Sequence, residues 1–139
     1  MLVVCGGSAD AEVLSGLGFG RVLITNINPS YDEEIDAYRC VRADAENLAF
    51  RDGEFDLVIV HAGLHHCASP HRALLEMYRV AKKAAIVLEA RESLLMRLAV
   101  WLGFTNEFEL ESVMSHGLES GGMRNGPIPN LNYRWLERR

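Results

Sequence analysis

The chain has 139 residues, 49% of them hydrophobic and 24% charged, with a formal net charge of −5. That length is one ordinary domain, and that balance excludes a disordered chain. The charge also argues against a nucleic-acid backbone binder, which carries a basic patch; Arg134, Arg138 and Arg139 read as a solvated tail.

Residues 1–5 (MLVVC) are short, apolar and β-branched, the pattern of a buried strand. Gly6 and Gly7 break it, Ser8 or Asp10 can cap a helix to about Leu17, and Gly18 and Gly20 end that helix. Residues 21–27 (RVLITNI) predict a second strand closed by Asn28-Pro29. Residues 31–38 read as a weak helix or turn, and 40–43 as a short third strand. Residues 56–61 (DLVIVH) predict a strand apolar on both faces. Ser69-Pro70 is a good helix start, after which Leu74, Tyr78 and Ala81 fall on one helical face. Residues 84–89 (AAIVLE) predict another buried strand, and 91–103 a helix apolar nearly all round. Beyond residue 104 periodicity fades among glycines and prolines.

Strands apolar on both faces, alternating with helices, imply a parallel sheet covered by helices. Right-handed crossovers place every strand-to-helix loop on one sheet edge, where such sheets bind ligands near the switch in strand order. Four loops therefore carry the expected chemistry: residues 5–10, 26–29, 44–47 and 61–67.

The first loop, CGGSAD, lets a ligand approach backbone, but Asp10 and Glu12 would repel a pyrophosphate and no Lys or Arg is near. A cationic ligand suits it better, although acidic residues in a first turn also simply favour the helix dipole. Asn26 can reach ribose hydroxyls, or belong to ordinary turn chemistry. Asp44 can accept from an adenine amine. His61, His65, His66, Cys67 and His71 cluster without ligand spacing, so no metal is expected. The absence of GxGxxG, with the acidic first turn, opposes a nicotinamide cofactor. Cys5, Cys40 and Cys67 form no CxxC, so no disulfide framework is expected and a cytoplasmic setting is. Residues 94–104, the longest apolar run, are too short to span a bilayer and contain Arg97, so no membrane partner is expected.

The run DAENLAFRDGEFDLVIVHAGLHHCASPHRALLEMYRVAKKAAIVLEA, within residues 43–90, closely resembles the central region of class I S-adenosylmethionine-dependent methyltransferases of the small-molecule type. Upstream, residues 1–29 look like the glycine loop and second strand of the same fold. The resemblance implies a Rossmann-like α/β domain with helices on both faces and missing or shortened C-terminal strands. Residues 1–90 would be its cofactor-binding core, and 91–139 an apolar helix with a substrate-side or lid segment. The implied cofactor is S-adenosylmethionine. Cys5, Gly6, Gly7 and Ala9 would surround its methionine part, Asn26 would face the ribose, Asp44 and Ala45 would hold the adenine, and His61 and Ala62 would line the cofactor near the acceptor. His61 and His65 are candidates for a catalytic base. Where the family has Gly-x-Gly-x-Gly this chain has Cys5, Gly7 and Ala9, and Val3 and Asn26 replace acidic residues. The implied function is methyl transfer to a small-molecule acceptor, with a non-catalytic binding or scaffold protein as the alternative. Helix 91–103 is expected to pack over the sheet, with a homodimer contact as the alternative.

Overall fold

Leu2, Val3 and Val4 leave no polar side chain for either face, and as strand β1 (Leu2–Val4) they are buried on both. The computed structural model describes residues 1–27, 34–35, 38–89 and 93–104. After β1 come α1 (Ser8–Gly16), β2 (Leu23–Asn26), β3 (Glu34–Ile35), β4 (Tyr38–Arg42) and β5 (Phe55–His61). A 3₁₀ turn (Leu64–His66), α2 (Pro70–Val80), β6 (Ala81–Leu88) and α3 (Leu94–Trp101) follow. The chain divides into two compact units, residues 1–64 with 69–88, and residues 65–68 with 89–139.

The sheet lies in the first unit, in the order β3-β4-β2-β1-β5-β6. Every pairing is parallel except the antiparallel β3–β4. The expected Rossmann-like sheet is therefore present. Strand order reverses around β1: the chain steps from β1 to β2 in one direction and from β5 to β6 in the other. Right-handed crossovers in opposite directions place α1 and α2 on opposite faces. Side-chain alternation agrees. Val3, Ile24 and Cys40 stand in register and bury with Ala11 of α1. On the other face Val58 and Val60 are fully buried, and α2 packs against β5 and β6.

Three elements differ from the sequence pattern. Residues 84–89 are expected as a buried strand, but β6 ends the sheet order and Ile86, Val87 and Leu88 are exposed, because a terminal strand has a neighbour on one side only. Residues 34–35 pair with β4 as a strand, where a weak helix or turn is expected; the polar run around them has no strand period, and backbone pairing with Tyr38 and Arg39 decides it. In α2 the buried face is Pro70, Ala73, Met77 and Val80, not Leu74 and Tyr78, and Ala81 already opens β6. Both stripes have helical spacing. The narrow stripe built on Ala73 and the pliable Met77 fits against the sheet, and Tyr78 is left 76% exposed. Residues 105–139, including the expected lid segment, lie outside the described residues.

The stretch between β4 and β5 is tied to α2 chiefly through Arg79. Arg79 donates from Nε to Glu76 Oε1, from Nη1 to the Phe50 carbonyl and Asp52 Oδ1, and from Nη2 to the Leu48 carbonyl and Glu76 Oε2, at 2.7–2.8 Å. The Leu48 N–H donates to Glu76 Oε2 at 2.9 Å. Gly53, at φ 63°, supplies the left-handed turn into β5 and donates to the Arg79 carbonyl.

The hydrogen-bonded Arg79 guanidinium holds the Glu76 carboxyl below its ordinary value of 4.5; partial burial opposes this and the Leu48 N–H adds to it. A depressed carboxylate stabilises the fold above its unfolded value, and the contribution disappears as pH falls through the depressed one. Denaturation of the parent and of Glu76→Gln is therefore expected to show a stability gap that is largest near neutrality and narrows as pH falls below the ordinary carboxylate range. A gap independent of pH would remove the Glu76–Arg79 pair as its origin.

Candidate functional site

The carboxyl ends of β1, β2, β4 and β5 bring residues 5–10, 26–27, 43–47 and 61–63 to one edge of the first unit, at the reversal of strand order. All nine expected cofactor-site residues stand in these loops. At the two central strands the backbone is strained in the same way. Cys5 follows β1 at φ 56° and Ala62 follows β5 at φ 48°, and these are the only left-handed non-glycine residues among those described. Such conformations cost about 1–3 kcal/mol each and concentrate at functional sites. Each is followed by a tightly placed glycine. A Cβ on Gly6 would stand 2.7 Å from Val3 Cγ1 and 2.9 Å from Ile24 Cγ2, and one on Gly63 would stand 2.5 Å from Cys5 Cβ.

Hydrogen bonds fix the loops to one another. The Gly6 N–H donates to the Thr25 carbonyl at 3.0 Å, and the Asn26 amide donates to the Gly6 carbonyl at 2.9 Å. Gly7 is the residue before α1, and its N–H donates to Asp10 Oδ2 at 2.8 Å. Asp10 thus caps from the third helical position, where the sequence suggests Ser8 or Asp10 as the first residue. Its other oxygen lies 3.5 Å from His61 Nδ1, joining the first and fourth loops. In the third loop Asp44 is exposed and its Oδ1 accepts from the Glu46 N–H at 2.8 Å, while Ala45 is buried. Glu46 in turn accepts from the Ser69 N–H at the head of α2.

The donor set suits a cation bearing an adenosyl group better than a phosphate. Asp10 and Asp44 supply carboxylates, and no Lys or Arg stands in the described part of these loops before Arg51, apart from Arg42 at the end of β4. Arg42 donates from Nε to the Ile27 carbonyl. Among the described residues no group of three or more His, Cys, Asp or Glu is placed to hold a metal ion.

His65 belongs to the second unit. Its Nδ1 lies 3.0 Å from Glu89 Oε2; the His65 side chain is buried and Glu89 is partly buried. The sequence pattern singles out His65 but not Glu89; a carboxylate closing an apolar strand is the available signal. His61, by contrast, is exposed. A surface hollow of about 510 Å³ lined by Asp52, Tyr78, Arg79, Lys82 and Lys83 sits at the start of β6, the sheet edge opposite the four loops.

Comparison with known proteins decides the family. Residues 2–88, more than half of the chain, match the methyltransferase domain model. The chain belongs to the methyltransferase domain family. It is 34% identical over 88 residues to the ubiquinone/menaquinone biosynthesis C-methyltransferase UbiE of Xanthomonas oryzae, covering 62% of this chain and 35% of that protein. It is 30% identical over 98 residues to a demethylmenaquinone methyltransferase of Staphylococcus epidermidis, covering 63% and 40%. The chain thus spans less than half the length of these curated relatives. Its fold is that of a SAM-dependent methyltransferase of Thermotoga maritima, with a TM-score of 0.55 and 24% identity over 70% of this chain and 48% of the other. S-adenosylmethionine is accordingly the cofactor of this family, and the carboxylate-bearing loops fit it. No helix among the described residues is long and apolar enough to cross a membrane.

Proposed function

We propose that this methyltransferase domain transfers a methyl group from S-adenosylmethionine to a ring carbon of a quinone-type small molecule. The observation that carries the proposal is the constellation at the sheet switch: two strained residues, Cys5 and Ala62, beside glycine backbone, with Asp10 and His61 joined across it. The relatives named for ubiquinone and menaquinone biosynthesis supply the acceptor class. The acceptor is the reduced, hydroquinone form, because only an electron-rich aromatic ring carbon can attack the sulfonium methyl.

S-adenosylmethionine, when bound, supplies a methyl group on a positively charged sulfur. The chain's residues bind and orient. Gly6 and Gly7 offer side-chain-free backbone to the methionine part. Asp10 lends negative charge to that end of the pocket. Asn26 faces the ribose from the end of β2. Asp44 accepts from the adenine amine and the Ala45 N–H donates to the ring. His61, exposed and oriented by Asp10, stands on the acceptor side. Methylation of a ring carbon releases a proton, and the His61 imidazole is the group positioned to receive it. Holding acceptor and donor in line supplies much of the rate, so loop geometry matters more than any single base.

Calorimetric titration of the protein with S-adenosylmethionine tests the binding half. Saturable binding is expected, weakened by Asp44→Ala about tenfold, equivalent to about 1.4 kcal/mol. Binding untouched by Asp44→Ala would overturn the adenine assignment. One observation favours a second reading, a methyltransferase-like binding protein without turnover: Cys5 and Ala9 occupy positions at which glycine is expected, and Cys5 is strained there. Cofactor binding without methyl transfer to any demethylated hydroquinone would favour that reading.

A further inference from the structure

Helices α1 and α2 both begin with a backbone N–H held by a carboxylate, but the carboxylates come from different places. In α1 the flanking Gly7 donates its N–H to Asp10, the third residue of the same helix, at 2.8 Å. In α2 the third position is Arg72, which has no acceptor to offer. The flanking Ser69 makes no capping bond with its own side chain either. Its N–H instead donates to Glu46 Oε1 at 2.8 Å, 23 residues back along the chain. The third loop thus supplies from outside the carboxylate that α2 lacks, at a helix end that favours negative charge.

The backbone of Glu46 holds Asp44. The Glu46 N–H donates to Asp44 Oδ1 at 2.8 Å, and the Asn47 N–H donates to the Asp44 carbonyl at 3.0 Å. Oδ1 is therefore occupied, which leaves Oδ2 to meet a ligand. Asp44 is exposed, and an exposed aspartate turn has little packing to fix it. Its anchorage comes from α2, through the Glu46 carboxylate on one side of Asn47 and the Leu48 N–H, which donates to Glu76 Oε2 at 2.9 Å, on the other. We propose that Glu46 is a positioning residue that gives the site its selectivity for a 6-amino purine over a 6-oxo purine. The inference rests on the adenine assignment made above for Asp44 and Ala45. An amine donates and a carboxylate accepts, so a fixed Asp44 favours adenine. A 6-oxo group brings a lone pair to the same carboxylate, and its ring N1 carries a proton that meets the Ala45 N–H. A fixed carboxylate cannot turn away from that mismatch. A carboxylate freed from its anchor can, and selectivity falls. Glu46 acts through Asp44 and needs no contact with the ligand.

The test is calorimetric titration with S-adenosylhomocysteine and with its 6-oxo analogue, S-inosylhomocysteine. The parent is expected to prefer the adenosyl compound by about tenfold or more. Glu46→Ala is expected to reduce that preference to about threefold or less, mainly by weakening the adenosyl compound. Glu46→Gln keeps an oxygen that accepts from the Ser69 N–H, and is expected to restore most of the preference. The double substitution Glu46→Ala, Arg72→Gln separates positioning from stability. It places an acceptor at the third residue of α2, so the helix start is capped again while the third loop stays untied. It is expected to regain thermal stability but not selectivity. A preference unchanged in Glu46→Ala, equal losses for both compounds, or selectivity that returns with the recapped helix overturns the positioning role. A parent that binds both compounds equally overturns the Asp44 assignment, and one that binds neither overturns the cofactor reading. Either result removes this inference too, by an outcome distinct from the first three.

Discussion

Gly63→Ala is expected to destabilise the domain by about 2–3 kcal/mol and to abolish cofactor binding. The added Cβ would meet Cys5 Cβ at 2.5 Å, Val60 Cγ2 at 3.0 Å and Cys5 Sγ at 3.4 Å. A Cβ has no rotamer with which to escape. Its main opponent is also a Cβ, fixed to backbone already held in the left-handed region at φ 56°. The loops after β1 and β5 must therefore move apart, and they are the two loops on which the candidate site is centred. Cys5→Gly removes the opposing atom and the left-handed strain together. Alone it is expected to raise stability by up to about 1 kcal/mol, since relief of strain is partly offset by the freedom of glycine in the unfolded chain. Combined with Gly63→Ala it is expected to recover most of the lost stability, leaving the closer approach to Val60. Urea denaturation of the four proteins measures the coupling. Additive effects would show that the clash between positions 5 and 63 is not what makes glycine necessary.

That coupling also shows what the sequence could and could not reveal. The strands were legible because their chemistry is local: LVV, LIT and DLVIVH leave no polar face, and a chain that repeats such runs between helices has little choice but a parallel sheet. The edge carrying the site followed from topology, which is why Cys5, Asn26, Asp44 and His61 could be named from spacing. The left-handed backbone at Cys5 and Ala62 was not legible, because neither side chain advertises a positive φ. Nor was the Asp10–His61 contact, which joins residues 51 positions apart and exists only because β1 and β5 are neighbours. The buried face of α2 was misread for a related reason: two stripes had the right period, and only the sheet opposite could choose between them.

Arg79→Met is the second substitution with a large expected effect, a clear loss of stability, although Arg79 touches none of the expected cofactor residues. Methionine fills a similar volume but donates nothing. The carbonyls of Leu48 and Phe50 lose their guanidinium donor, and the Glu76 carboxylate keeps only the Leu48 N–H among the bonds described above. Arg79→Lys is expected to recover little, because one ammonium cannot span two carbonyls and two carboxylates held by a planar fork. The consequence reaches the site through residues 48–52, which continue directly from Asp44 and Ala45. Release of that stretch should loosen the adenine end of the pocket while leaving the Asp10–His61 end in place. Cofactor affinity is therefore expected to fall in both variants at temperatures where they remain folded. S-adenosylhomocysteine and free adenosine should lose affinity in the same proportion, because both carry the adenine whose anchor is released. A loss confined to stability, with unchanged affinity for both compounds, would show that the Arg79 knot supports the fold without positioning the third loop.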